Sequence, residues 1–331
     1  MSNRWLSLVC VLAILGACGE DDGGEDPADS PPALAGEVTV LETYSVGDFN
    51  ADLDPELPTA SVAFYLTEGG PLEWNELVPG IERAKRVFLD NGVQLRVSWA
   101  VLVSVPPDWQ SLDPEISEVP SSPEYLETDI YRHLDELATR LTDRTRDILE
   151  AIVWQHPPRA DGVPFERSVH VVALEDVPIS YFEWDGAWSE QFAPTGGLSF
   201  PPYVHGDRIA PRLRGIITLS VNPNPLNRAT RVLAHELGHK LINVSHEGIG
   251  VCPSFEADGD DLMLYGEGER VASGAEGRWH RERLALSPFL YHLDGDIAVF
   301  DNDYRDSGSY RDRLYGDFVV EPPCAGTAGS R

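Results

Sequence analysis

The stretch from 215 to 243 constrains the fold of this chain more than any other. GIITLSV (215–221) is a short apolar run rich in β-branched residues, the pattern of a buried strand. NPNPLNRATRVLAHELGHKLIN (222–243) follows at once and reads as a helix. Asn224 is a good N-cap, and Pro225 suits the first helical position because its missing N–H would be unpaired there anyway. Val232, Leu233, Leu237 and Leu241 form an apolar stripe, and Asn243 tolerates the left-handed conformation that ends helices. The segment HELGH therefore sits inside a buried, capped helix.

On that helix His235 and His239 are four residues apart, so both imidazoles project from one face. At that spacing the Cβ atoms are about 6 Å apart, close enough for both rings to reach one zinc ion. Glu236 follows the first histidine and is placed to take a proton from a water bound to that zinc, whose pKa the metal lowers to about 7. This is the H-E-x-x-H pattern of zinc metallopeptidases. The plainer alternative is a helix whose two histidines are satisfied by local hydrogen bonds.

A tetrahedral site needs a third protein ligand, and His246 stands just downstream in NVSHEG. From 235 on, HELGHKLINVSH resembles the extended zinc motif of the metzincins, H-E-x-x-H-x-x-G-x-x-H. Asn243 stands where that family has glycine, and the spacing from the second histidine is one residue longer. The interval from the turn residue to the ligand is intact, and a helix longer by one residue before a left-handed turn delivers His246. Glu247 is the competing third ligand. Metzincins also carry a methionine-containing turn beneath the metal. Here DDLMLYGEG (260–268) supplies Met263, the one methionine besides the initiator, 17 residues beyond His246. Tyr265 completes Met-x-Tyr, as in the astacin and serralysin branches, where that tyrosine binds zinc or stabilises the transition state. Plain core packing for Met263 and a satisfied core hydroxyl for Tyr265 are the alternatives.

The specific match spans about 235–265. It implies an α+β, metzincin-like zincin domain: a twisted mixed β-sheet with an antiparallel edge strand, the zinc-binding helix and a C-terminal helix. It also implies Zn²⁺ as cofactor and a protein or peptide substrate that pairs with the edge strand. Residues 196–204 are the candidate edge strand, and RWHRERLALSPFLYHL (278–293) suits the final helix. Elsewhere, VTVLETY (38–44), SVAFYL (61–66), 94–105 and VHVVAL (169–174) read as strands. A helix over 75–91 carries Leu77, Ile81, Ala84, Val87 and Phe88 on one face and ends at Asn91-Gly92. A second helix is expected over about 124–150, with Ile130, Leu134, Leu137, Leu141 and Ile148 on its apolar face.

The beginning of the chain is an address. One arginine precedes an apolar run from Leu6 to Leu15, with the proportions of a signal peptide (1–17). It ends in Leu15-Gly16-Ala17-Cys18, which resembles the lipobox of bacterial lipoproteins and implies lipidation at Cys18 and membrane attachment through it. Residues 18–36 are rich in acids, lack bases and show no hydrophobic pattern, as in a flexible tether; the catalytic domain then covers 37–331. Cys252 and Cys324 are left to pair as a disulfide in an exported protein.

Charge excludes some partners. With 25 basic against 55 acidic residues, the chain lacks the basic face that nucleic-acid phosphates require. The acidic runs 258–261 and 294–303 offer oxygen ligands for Ca²⁺ but match no EF-hand loop. His133, His156, His170, His205, His280 and His292 have no ligand spacing to one another and read as structural. The expected function is an exported, lipid-anchored zinc endopeptidase. The competing readings are a catalytically inactive zinc-binding surface lipoprotein, a surface adhesin, and a gluzincin-type peptidase that takes Glu276 or Glu282 as third ligand.

Overall fold

Alternating side chains build the centre of this fold. In β2 (Thr59–Thr67), Ala60, Val62, Phe64 and Leu66 face one hydrophobic cluster while Ala63 and Tyr65 face another. The same two-sided division holds in β4 (Val169–Leu174) and β8 (Ile216–Ser220), so these strands are buried on both faces. A computed structural model describes residues 30–70, 72–112, 142–156, 162–199, 213–220, 225–244, 261–263, 270–295 and 297–302. Within them lies an eight-stranded mixed sheet of order β1-β3-β2-β4-β8-β7, with β9 (Leu290–Asp294) pairing the start of β2 and β10 (Ile297–Val299) pairing β9. The central pairings β3-β2, β2-β4 and β4-β8 are parallel. Antiparallel strands close both sides: β1 (Thr39–Thr43) against β3 (Gln94–Ser104), and β7 (Gly197–Ser199) against β8.

Helices cover both faces of the mixed sheet, giving a mixed α/β architecture. On one side α1 (Trp74–Leu89), α3 (Pro225–Ile242) and α4 (Gly274–Ala285) contribute Leu77, Ile81, Phe88, Leu233, Leu237, Leu241 and Trp279 to a single cluster. On the other side α2 (Asp143–Val153) packs Ile148, Leu149, Ile152 and Val153. All five apolar positions expected of the first helix are buried in α1, and Gly92 past its end has φ 79°. In β3 the alternation slips by one residue. Leu95 and Val97 face the α3 side, then Ala100 does, because a bulge at the Val62/Ala63 register step inserts Ser98.

Three expectations need correction, and one element was not anticipated. A single helix over 124–150 is not what forms, since Thr142 is an N-cap whose side chain accepts from the Thr145 amide, and α2 starts afresh at Asp143; Ile130, Leu134, Leu137 and Leu141 lie outside the described residues. The final helix starts at Gly274 and ends at Ala285, and 290–293 belong to β9. Pro288 disfavours helix for the residue before it, and the apolar residues beyond serve the sheet. A hairpin, β5 (Pro178–Trp184) with β6 (Trp188–Pro194), went unread. Packing also begins before residue 37. The chain from Pro31 on forms one unit, Leu34 packs on the α2-side cluster, and the Gln155 amide donates to the Ala35 carbonyl at 3.2 Å. Among the described residues no helix is long and apolar enough to cross a membrane.

Candidate metal centre

Parallel strand β8 leads towards α3, whose first residue is Pro225; Asn224 lies outside the described residues. Leu233, Ala234, Leu237, Leu241 and Ile242 are fully buried against the sheet. This fixes the rotation of the helix about its axis. His235, Glu236 and His239 are then buried, each 5 to 6% exposed. Asn243 ends the helix at φ 59°, the one non-glycine residue of positive φ among those described.

The two imidazoles are held by backbone carbonyls. His235 Nδ1 lies 2.5 Å from the Leu262 oxygen, and His239 Nδ1 lies 2.7 Å from the Val244 oxygen. A carbonyl has no proton to give, so each Nδ1 carries the hydrogen and donates it. In the neutral rings both Nε2 atoms therefore present lone pairs. These two atoms are 3.1 Å apart, with the rings at 85° to one another. Two lone pairs at that distance repel unless a cation lies between them or one ring is protonated. A zinc ion bound at about 2.0–2.1 Å by two tetrahedrally disposed nitrogens sets them roughly 3.3 Å apart. The two nitrogens stand at the spacing such an ion would require, and the two carbonyls fix tautomer and ring orientation.

Two glycines bring the neighbouring elements close. A Cβ added to Gly238 would overlap Met263 Sδ and stand 3.1 Å from Leu262 Cδ2, so the buried Met263 packs directly under the helix between the two histidines. A Cβ on Gly197, in edge strand β7, would stand 2.8 Å from Glu236 Cγ and 3.0 Å from its Oε1. The Glu236 side chain thus lies along the edge strand. Lys240, one turn on, is fully buried and donates to the Arg214 carbonyl at 2.8 Å. Burial pushes its ammonium well below its ordinary value, opposed by the negative charge of Glu236.

Beneath the helix end lies a buried polar layer, Asp261, Glu276, His280 and Arg283, whose gathering the sequence did not announce. Desolvation lowers His280 to a pKa of about 4, with Glu276 and Asp261 pulling upward and Arg283 and Arg281 downward. No spacing marks these residues, because charged side chains are ordinarily read as surface.

The structure brings together His235, Glu236, His239, Met263 and part of the expected edge strand. His246, Glu247, Tyr265, Cys18, Cys252 and Cys324 lie outside the described residues. Among the described residues no group of three His, Cys, Asp or Glu side chains gathers to hold a metal, so neither the buried Glu276 nor the exposed Glu282 completes a site with the histidine pair. Of the acidic run 294–303, Asp294 ends β9, Ile297–Val299 form β10 and Gly295 takes φ 65°; its described residues gather no group of three acidic side chains for calcium. His170 bonds Tyr65 and the Phe165 carbonyl, and His292 lies 3.3 Å from Asp301.

Compared with known proteins, the chain matches no protein-family model and no curated protein sequence.

Proposed function

We propose that this chain is an exported zinc endopeptidase of metzincin type, anchored by lipid at Cys18. The observation that carries the proposal is the pair of Nε2 atoms 3.1 Å apart, each ring oriented by a carbonyl on its other nitrogen. His235 and His239 hold the metal through these atoms, with His246 as third ligand. Zinc held there supplies Lewis-acid polarisation of a scissile carbonyl and acidifies a water molecule. Glu236 accepts the proton of the attacking water as its oxygen joins the carbonyl carbon. It then returns that proton to the amine as the C–N bond breaks. Tyr265 assists by donating to the developing oxyanion. The substrate backbone lies extended along the edge strand β7, which the absence of a side chain at Gly197 draws against Glu236.

Two features support the metzincin type. Met263 packs on Gly238 beneath the histidines, and Asn243 adopts the left-handed turn that the family builds with glycine. The test is Glu236→Ala in the full chain. Peptide hydrolysis should fall by at least about 10²-fold, the scale of a lost general base, while zinc stoichiometry is unchanged. Undiminished hydrolysis would remove Glu236 from the mechanism.

A further inference from the structure

Resting on the zinc reading above, we propose that Arg283 is a positioning residue for the metal, acting through the turn that follows the zinc helix. Arg283 is 1% exposed and comes from α4, a separate element packed against the end of α3. Its Nε donates to the Ile242 carbonyl at 3.2 Å, and one of its terminal nitrogens donates to the Asn243 carbonyl at 2.5 Å. The guanidinium lies over the Trp279 ring, 5.5 Å from its centroid. These carbonyls belong to the last turn of α3 and to the residue at φ 59°, where a helix has acceptors without intrahelical donors and the negative end of its dipole.

The next carbonyl along the chain is that of Val244, which takes the Nδ1 hydrogen of His239. Arg283 thus grips the two peptide units immediately before the one that orients a metal ligand. The chain beyond Val244 leads within two residues to His246. Planarity matters here. One rigid fork meets two adjacent carbonyls, and an ammonium on a flexible stem cannot hold both in the same relation. Arg283 also shares its buried layer with Asp261, which precedes Leu262, the residue whose carbonyl orients His235.

The experiment uses the full chain, its Arg283→Lys and Arg283→Gln variants, and Arg281→Gln on the exposed side of the same helix as control. Thermal melts first identify the variants that are folded at the working temperature. Zinc affinity is then measured by competition with a chromophoric chelator, and the Co²⁺-loaded proteins are compared by their visible d–d absorption. The expected result is a 10- to 100-fold loss of zinc affinity for the folded Arg283 variants, the usual scale for outer-shell partners, with a changed cobalt band. Arg281→Gln should match the wild type in both. Wild-type affinity and an unchanged cobalt band in a folded Arg283 variant would overturn the positioning role. If neither Arg283 variant folds, Trp279→Phe alters the ring beneath the guanidinium and is read by the same two measurements; an unaltered band there also counts against it. A wild-type chain that binds no zinc at all would instead defeat the metal reading itself.

Discussion

Replacing Gly197 by alanine tests the contact between the edge strand and the proposed general base. The backbone at Gly197 is not in the left-handed region, so alanine introduces no backbone strain there, only a methyl group. That methyl would stand 2.7 Å from Val232 Cγ1, 2.8 Å from Glu236 Cγ and 3.0 Å from Glu236 Oε1, where ordinary contact begins at 3.4 Å. Either β7 moves away from α3, or Val232 and the Glu236 side chain both give way, by about 0.7 and 0.6 Å. Displacement approaching 1 Å at a reacting group lowers rate by about 10²-fold. Overpacking of this kind destabilises by about 1–3 kcal/mol, which a domain of this size should survive. The assay is kcat/KM for a quenched-fluorescence peptide library, alongside zinc content and a thermal melt. We expect hydrolysis to fall by one to two orders of magnitude with one zinc still bound. Wild-type kcat/KM in a folded, zinc-loaded Gly197→Ala protein would show that β7 and Glu236 do not form one working surface.

Two further predictions concern the layer beneath the site. Gly238→Ala gains about 1 kcal/mol of helix propensity but forces its methyl into Met263 and Leu262, so the net effect on denaturant midpoint should be destabilising. In a Met263→Ala background the same change should be stabilising instead; additivity between the two substitutions would argue against direct packing. His280 is buried and held at a pKa of about 4, below its ordinary 6.5. In that interval the unfolded chain binds the proton and the folded chain does not, so His280 lends stability above pH 6.5 that is lost as pH falls towards 4. The span corresponds to about 3 kcal/mol. Urea unfolding from pH 7 to 4 should show this slope, and His280→Leu should flatten it.

Much of the framework was legible because it follows from periodicity. The β-branched runs at 169–174 and 216–220 and the helical stripe of α1 announce themselves, and an asparagine placed after an apolar stripe announces the left-handed stop at 243. The hairpin β5–β6 left a signal that could have been used. Asp185-Gly186 stands between two runs rich in aromatic residues, and Gly186 takes φ 74°. The end of α4 was misjudged because Leu290 and Tyr291 continue an apolar pattern that Pro288 had already cut. Arg283 and Lys240 were not legible at all. A buried charge is decided by partners distant in sequence, here the Ile242, Asn243 and Arg214 carbonyls. The histidine pair itself was legible from spacing, whereas its orienting carbonyls at Leu262 and Val244 were not.

X-ray absorption at the zinc edge on the purified, zinc-reconstituted chain tests the central claim most directly. Convergence of His235 and His239 on one ion, with His246 beside them, predicts one zinc per chain with three imidazole nitrogens and one oxygen at about 2.0–2.1 Å. His246→Ala should reduce the imidazole count by one, and Glu247→Ala should leave it unchanged. Zinc bound at less than stoichiometric amount, or a shell containing sulfur at about 2.3 Å, would contradict the account.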